Sequence, residues 1–163
     1  MTENERRRRN RRTGWLLGAL IAVTVLFIWG NSMQNGTASG ETSGFVRSLL
    51  ESLLGVPIDE FLLRKAAHFS EYALLGVESA ALLNLLRGAD NRPLARGRNL
   101  LDVPALGILT ALIDETIQIF TGRGPMVADV WIDTAGFLTG FFLTVLVFRL
   151  CRIHSRKERT THP

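Results

Sequence analysis

A histidine and two carboxylates stand in HFSEYALLGVE, residues 68–78, inside a run otherwise apolar enough to lie in a bilayer. A charged residue near the centre of a membrane helix costs about 2.5–3.5 kcal/mol on insertion scales, so its presence points to pairing, binding or catalysis. At about 100° per residue, Lys65, His68 and Tyr72 fall within about 60° of one another on a helix, with Glu71 and Glu78 flanking them on the same half. A second stripe holds Thr110, Asp114, Gln118 and Thr121, with Glu115 beside it. A third aligns Asp129, Asp133, Gly136 and Gly140, and its GxxxG spacing reads as a packing surface that lets another helix approach closely. Carboxylates suit Mg²⁺ or Mn²⁺ and imidazole suits Zn²⁺ or Mn²⁺, while His68 and Glu71 together have the groups for proton transfer. Lys65 and Arg123 are the cations placed to balance these acids or to meet an anionic ligand.

The elements that must position these groups are membrane helices. The 163-residue chain is 47% hydrophobic, and its apolar residues form blocks long enough to span. Four spans are expected in an all-α polytopic bundle: the first over 14–30, then 66–86, 103–120 and 130–150. The organisation is a basic tail (1–13), the first span, an external segment (31–57), a core carrying the other three spans (58–150) and a second basic tail (151–163). Fifteen of the 19 Lys and Arg residues fall in 6–12, 87–98 and 149–159. Cytoplasmic segments hold the basic excess, so both termini and the loop between the second and third spans are expected inside. An alternative for the first block is a signal peptide, its basic flank leading to a small-residue cleavage site at Thr37–Gly40. The net charge of +4 does not point to nucleic acid, because the arginines flank apolar blocks and have no interleaved aromatic residues. With Cys151 as the single cysteine, neither an intramolecular disulfide nor a CxxC metal knuckle is available.

The external segment opens with NSMQNGTASGETSG, rich in Gly, Ser, Thr and Asn and read as flexible. Phe45, Val46, Leu49, Leu50, Leu53 and Leu54 then recur at helical spacing, predicting a short amphipathic helix stopped by Gly55 and Pro57. Such a helix lies on the outer membrane surface or caps the bundle. With that topology all three polar stripes fall in the outer half. By helical rise His68 is about 5 Å below Lys65, Asp114 about 9 Å below Phe120 and Asp133 about 6 Å below Asp129. They are expected to converge on one site open to the exterior, with Glu78 deeper and separate.

Three segments, RKAAHFSEYALLG (64–76), DETIQIFTGRG (114–124) and DVWIDTAGFLTG (129–140), together resemble the VanZ-like membrane proteins. The resemblance covers about residues 58–148 and implies that Lys65, His68, Glu71, Tyr72, Asp114, Glu115, Gln118, Arg123 and Asp129 form the family's polar signature. Asp133 stands where the family usually carries Asn, which adds a carboxylate to that set. The resemblance also implies a multi-pass protein of the bacterial plasma membrane, in a family whose founding members are linked to low-level resistance to teicoplanin-type glycopeptides.

The leading functional expectation is a non-enzymatic envelope protein that needs no cofactor or metal. Its outer polar site, these nine residues with Asp133, would bind a cell-wall precursor, a lipid-linked glycan or a glycopeptide at the bilayer surface. The alternative is an intramembrane enzyme acting on a lipid-linked substrate, with or without a divalent cation. A proton relay through Glu78 is a third reading, for which the inner halves of the last two spans offer no matching ionisable group.

Overall fold

The computed structural model describes residues 2–34, 36–89, 99–121 and 126–161, and every element among them is helical. The helices are α1 (Glu3–Ser32), α2 (Gly36–Leu54), α3 (Glu60–Ala89), α4 (Asn99–Thr121) and α5 (Val127–Thr161). Three are long and apolar enough to cross a membrane: α1, α4 from Leu101, and α5 as far as His154. The second expected span lies within α3, which has the length at 30 residues but carries too many polar groups to pass by composition.

Helix ends differ from the sequence reading wherever polar residues satisfy the backbone locally. The basic tail is already helical from residue 3. Thr2 Oγ1 accepts from the Glu5 backbone N–H at 3.3 Å, and the Thr2 N–H donates to Glu5 Oε2 at 2.7 Å. This reciprocal box satisfies orphan donors and starts the helix eleven residues before the apolar run. At the other end, α5 continues past the apolar block to Thr161. The stretch read as flexible is helical from Gly36 onward, so α2 has 19 residues where a short helix was expected. Ser43 secures it, its single hydroxyl proton shared between Gly40 O at 3.1 Å and Glu60 Oε1 of α3 at 3.0 Å. Its predicted stop holds: Gly55 takes φ +70° and its N–H donates to Glu51 O. Arg47, on the polar side of this helix, reaches Glu51 at 3.7 Å and Glu60 at 3.4 Å. The apolar face of α2 stays uncovered, with Phe45, Leu49, Leu53 and Leu54 at least half exposed.

Cross-helix contacts fix the directions. Thr24 meets Glu78 and Asn31 meets Glu71, so α1 and α3 are antiparallel. Residues 69, 73 and 76 of α3 face 136, 140 and 137–141 of α5, so these two run parallel. Ser32 beside Gln118 and Thr121 puts the ends of α1 and α4 together. Gly107 against Phe137, with His68 between Asp114 and Asp133, sets α4 antiparallel to α5. Thus α1 and α4 point one way and α3 and α5 the other, leaving the start of α1 and the end of α5 at the same end of the bundle.

The most extensive helix contact is α3 on α5, and glycine makes it possible. A Cβ on Gly136 would strike Phe69 O, one on Gly140 would strike Ala73 O, and one on Gly76 would strike Phe137 O. Lipid supplies little hydrophobic drive between helices, so backbone-to-backbone approach through small residues takes its place. The GxxxG pair packs as expected; Gly76 and Gly107, which the spacing did not single out, complete the surface. Tyr72, Leu75, Leu83, Phe137, Phe141 and Val145 fill the core around it. Outward faces carry exposed Val23, Phe27, Phe120, Phe142 and Leu146, as apolar surface in contact with lipid would.

Candidate functional site

The polar stripes converge where α1 and α4 end and α3 and α5 begin. His68 Nδ1 lies 3.4 Å from Asp133 Oδ1 and 4.0 Å from Asp114 Oδ2. Asp114 and Asp133 are fully buried, and His68 keeps 16% of its side chain exposed. One ligand atom from each of the three falls within 4.8 Å of the others, a separation that a shared metal ion can bridge. Three helices supply the trio, and the Gly136 contact keeps it compact by holding α5, one turn from Asp133, against α3 at Phe69.

Around this centre the remaining groups are partly paired. Lys65 and Asp129 form an ion pair at the mouth, with 16% and 12% of their side chains exposed, and Lys65 Nζ also lies 4.9 Å over the Phe61 ring. Gln118 Nε2 reaches Ser32 Oγ at 3.4 Å and Asp114 Oδ2 at 3.5 Å. Asn31 donates to Glu71 Oε1 at 3.2 Å, and Glu115 Oε2 accepts from the Met126 N–H at 3.1 Å, tying α4 to the start of α5. Five carboxylates therefore face Lys65 and one imidazole. Asp129 in the first turn of α5 also gains from that helix's positive end.

Several buried polar atoms have no hydrogen-bond partner: both oxygens of Asp133, Asp114 Oδ1, Glu115 Oε1 and the Tyr72 hydroxyl. Asp133 and His68 are within ion-pair distance without the alignment of a hydrogen bond. Tyr72 is fully buried among Glu71, Asp114, Glu115 and Asp133. Buried polar groups are rarely left unmatched, and each costs about 1–3 kcal/mol when they are. Of ten such side-chain atoms among the described residues, six lie here, His68 Nδ1 included.

Of the ten residues singled out from sequence, nine gather at this end of the bundle, and Arg123 lies outside the described residues. Glu78 is separate, accepting from Thr24 Oγ1 at 2.9 Å deeper in the bundle. Sequence reasoning missed the contribution of α1. Asn31 and Ser32 were read as the start of a loop and Thr24 as part of an apolar run, yet all three face α3 or α4. The available signal was that Thr24, Asn31 and Ser32 recur at helical spacing on one side of the first span.

One turn below the polar centre the walls become apolar. A cavity of about 290 Å³ opens between α1, α3 and α4, lined by Val25, Leu75, Leu83, Val103 and Leu106 among others and floored by Phe137. Thr110 on its wall precedes Asp114 by one helical turn, about 6 Å.

No curated protein and no solved structure matches the chain. The VanZ/LLP1 family model matches residues 15–149, spanning the first apolar helix through most of α5 and taking in every polar group of the site. By that match, and with three helices apolar enough to cross a bilayer, this membrane protein belongs to the VanZ/LLP1 family.

Proposed function

We propose that the chain crosses the bacterial plasma membrane four times, with both termini cytoplasmic, and binds an envelope ligand at an outer-leaflet polar site. The ligand is a lipid-linked cell-wall precursor or glycan, or a glycopeptide of the teicoplanin type. The helix directions support that crossing number: if α1 and α4 both cross and point the same way, the chain returns between them, and α3 is the helix available for it. The basic excess at residues 6–12, 87–98 and 149–159 supports the cytoplasmic side for both termini. On this orientation α2 sits at the outer face with its apolar residues turned to the lipid surface.

The observation that carries the binding reading is the group of buried, unpartnered oxygens on Asp114, Asp133 and Tyr72 beside an apolar cavity. Polar groups converging at headgroup depth over an apolar cavity suit an amphiphile. Lys65 is engaged by Asp129, so the carboxylates of the site suit the amines and hydroxyls that the sugar and peptide parts of such a ligand carry. Deletion of the gene, followed by complementation with wild type, Glu71→Ala or Asp114→Ala, tests the biological role. Susceptibility to teicoplanin and lipoglycopeptides should rise on deletion and return only with wild type. Unchanged susceptibility throughout contradicts the resistance role.

A further inference from the structure

We propose that His68, Asp114 and Asp133 bind one divalent transition-metal ion. The inference deepens the binding reading above by naming the first occupant of the same site. The donor set is one imidazole nitrogen and two carboxylates brought from three helices, with all three ligand atoms within 4.8 Å of one another. Metal bonds of about 2.0–2.2 Å put neighbouring donors about 3.0–3.4 Å apart, so closure from 3.4 and 4.0 Å at His68 Nδ1, and from at most 4.8 Å between any two of the three ligand atoms, needs less than about 2 Å of movement. Side-chain rotation supplies that without shifting a helix.

Proximity alone does not make an ion site; the unmet bonding of its members does. Asp133 is fully buried, yet neither of its oxygens has a hydrogen-bond partner, and Asp114 Oδ1 lacks one as well. The adjoining Tyr72 hydroxyl is fully buried and equally unmatched. Two carboxylates packed around one imidazole, away from water, carry excess negative charge that a divalent ion neutralises. The nearest ammonium does not do so, being held at the mouth by Asp129. The carboxylates nevertheless have amides against them: Gln118 donates to Asp114 Oδ2, and Asn31 to Glu71 beside the trio. Bracing of a ligand carboxylate by an amide is the usual outer shell of a metal site.

The donor types predict selectivity. Imidazole favours Zn²⁺ over Mg²⁺ and Ca²⁺, the two carboxylates also accept Mn²⁺, and the general affinity order places Zn²⁺ above Mn²⁺. Three protein ligands leave further coordination positions for a hydroxyl, amine or phosphate oxygen of the envelope ligand.

The test uses full-length protein in lipid nanodiscs, stripped with EDTA and titrated calorimetrically with each metal salt alone. Wild type should bind one Zn²⁺ or Mn²⁺ per chain, with Zn²⁺ the tighter and Mg²⁺ and Ca²⁺ at least about tenfold weaker. Asp133→Asn, which keeps shape and relieves charge crowding in the empty site, should weaken Zn²⁺ at least about tenfold while leaving the protein folded. His68→Gln should narrow the preference for Zn²⁺ over Mg²⁺, a change that simple loss of stability would not produce. The Mn²⁺ electron paramagnetic resonance signal of wild-type protein is a second readout that needs no variant and should show a nitrogen ligand. Absence of saturable one-per-chain uptake by folded wild type, or wild-type affinity in Asp133→Asn, overturns the proposal. Because the titration contains no envelope ligand, its failure leaves the ligand-binding reading standing. A protein that takes up the ion yet binds no such ligand removes that reading alone.

Discussion

Gly140→Ala adds one methyl group at the α3–α5 contact. Its Cβ would meet Ala73 O, a backbone atom that no rotamer change can move, so the two helices must separate locally. Overpacking a tight contact costs about 1–3 kcal/mol, and the rigid partner puts this site near 3. Alanine regains up to about 1 kcal/mol of helix propensity over glycine, leaving a net loss of about 2 kcal/mol. Gly18→Ala in α1 is the control, because nothing lies within 4 Å of its Cβ, and there the propensity gain should emerge unopposed. Gly136→Ala, directed at Phe69 O, should behave like Gly140→Ala. The double variant should cost less than the sum of the two, since a separation that relieves the first methyl relieves the second. Unfolding by denaturant titration in mild detergent, followed by tryptophan fluorescence, provides the comparison. If Gly140→Ala is as benign as Gly18→Ala, α3 and α5 do not pack backbone to backbone and the trio at His68 loses its basis.

Three further outcomes can be checked on the same preparation. Lys65→Met strands Asp129 next to Glu115 and should cost about 2–3 kcal/mol, below the full penalty for breaking a buried pair because both side chains keep some exposure. Adding Asp129→Asn should recover part of this loss, whereas strict additivity within about 0.5 kcal/mol would mean the pair is not coupled. Thr24→Val deprives Glu78 of its donor and should destabilise by about 1–3 kcal/mol, with Glu78→Leu in the same background restoring most of it. For topology, membrane-impermeant thiol labelling in a Cys151→Ser background should reach Ser52→Cys in intact cells and leave Asn4→Cys protected; the reverse would invert the placement of the site.

Much of this arrangement was legible because intramembrane polarity is costly and therefore informative. His68, Asp114 and Asp133 were placed at similar depth by helical rise alone, and the contact geometry brings them within ion-pair reach. What escaped was set by neighbours. Thr24, Asn31 and Ser32 are unremarkable in sequence because hydroxyls and amides are inexpensive near a helix end; only the acids opposite give them a role. The Gly36–Gly44 stretch has low helix propensity, yet Ser43 and Arg47 anchor the helix to Glu60 of α3, and that tertiary contact outweighs local preference. The polar character of α3 likewise has a tertiary reason. It contacts all four other described helices, so its polar groups find partners inside the bundle.

Direct binding to the protein in nanodiscs is the measurement on which the functional reading turns. Native mass spectrometry of nanodisc-reconstituted wild type should detect a saturable one-to-one complex with teicoplanin or with an undecaprenyl-linked cell-wall precursor. Asp114→Asn and Asp133→Asn, folded by thermal melt, should weaken it at least about tenfold, while Glu78→Gln, outside the site, should leave it unchanged. No saturable complex with either ligand class, or a complex indifferent to both aspartates, would contradict a ligand site at the head of this bundle.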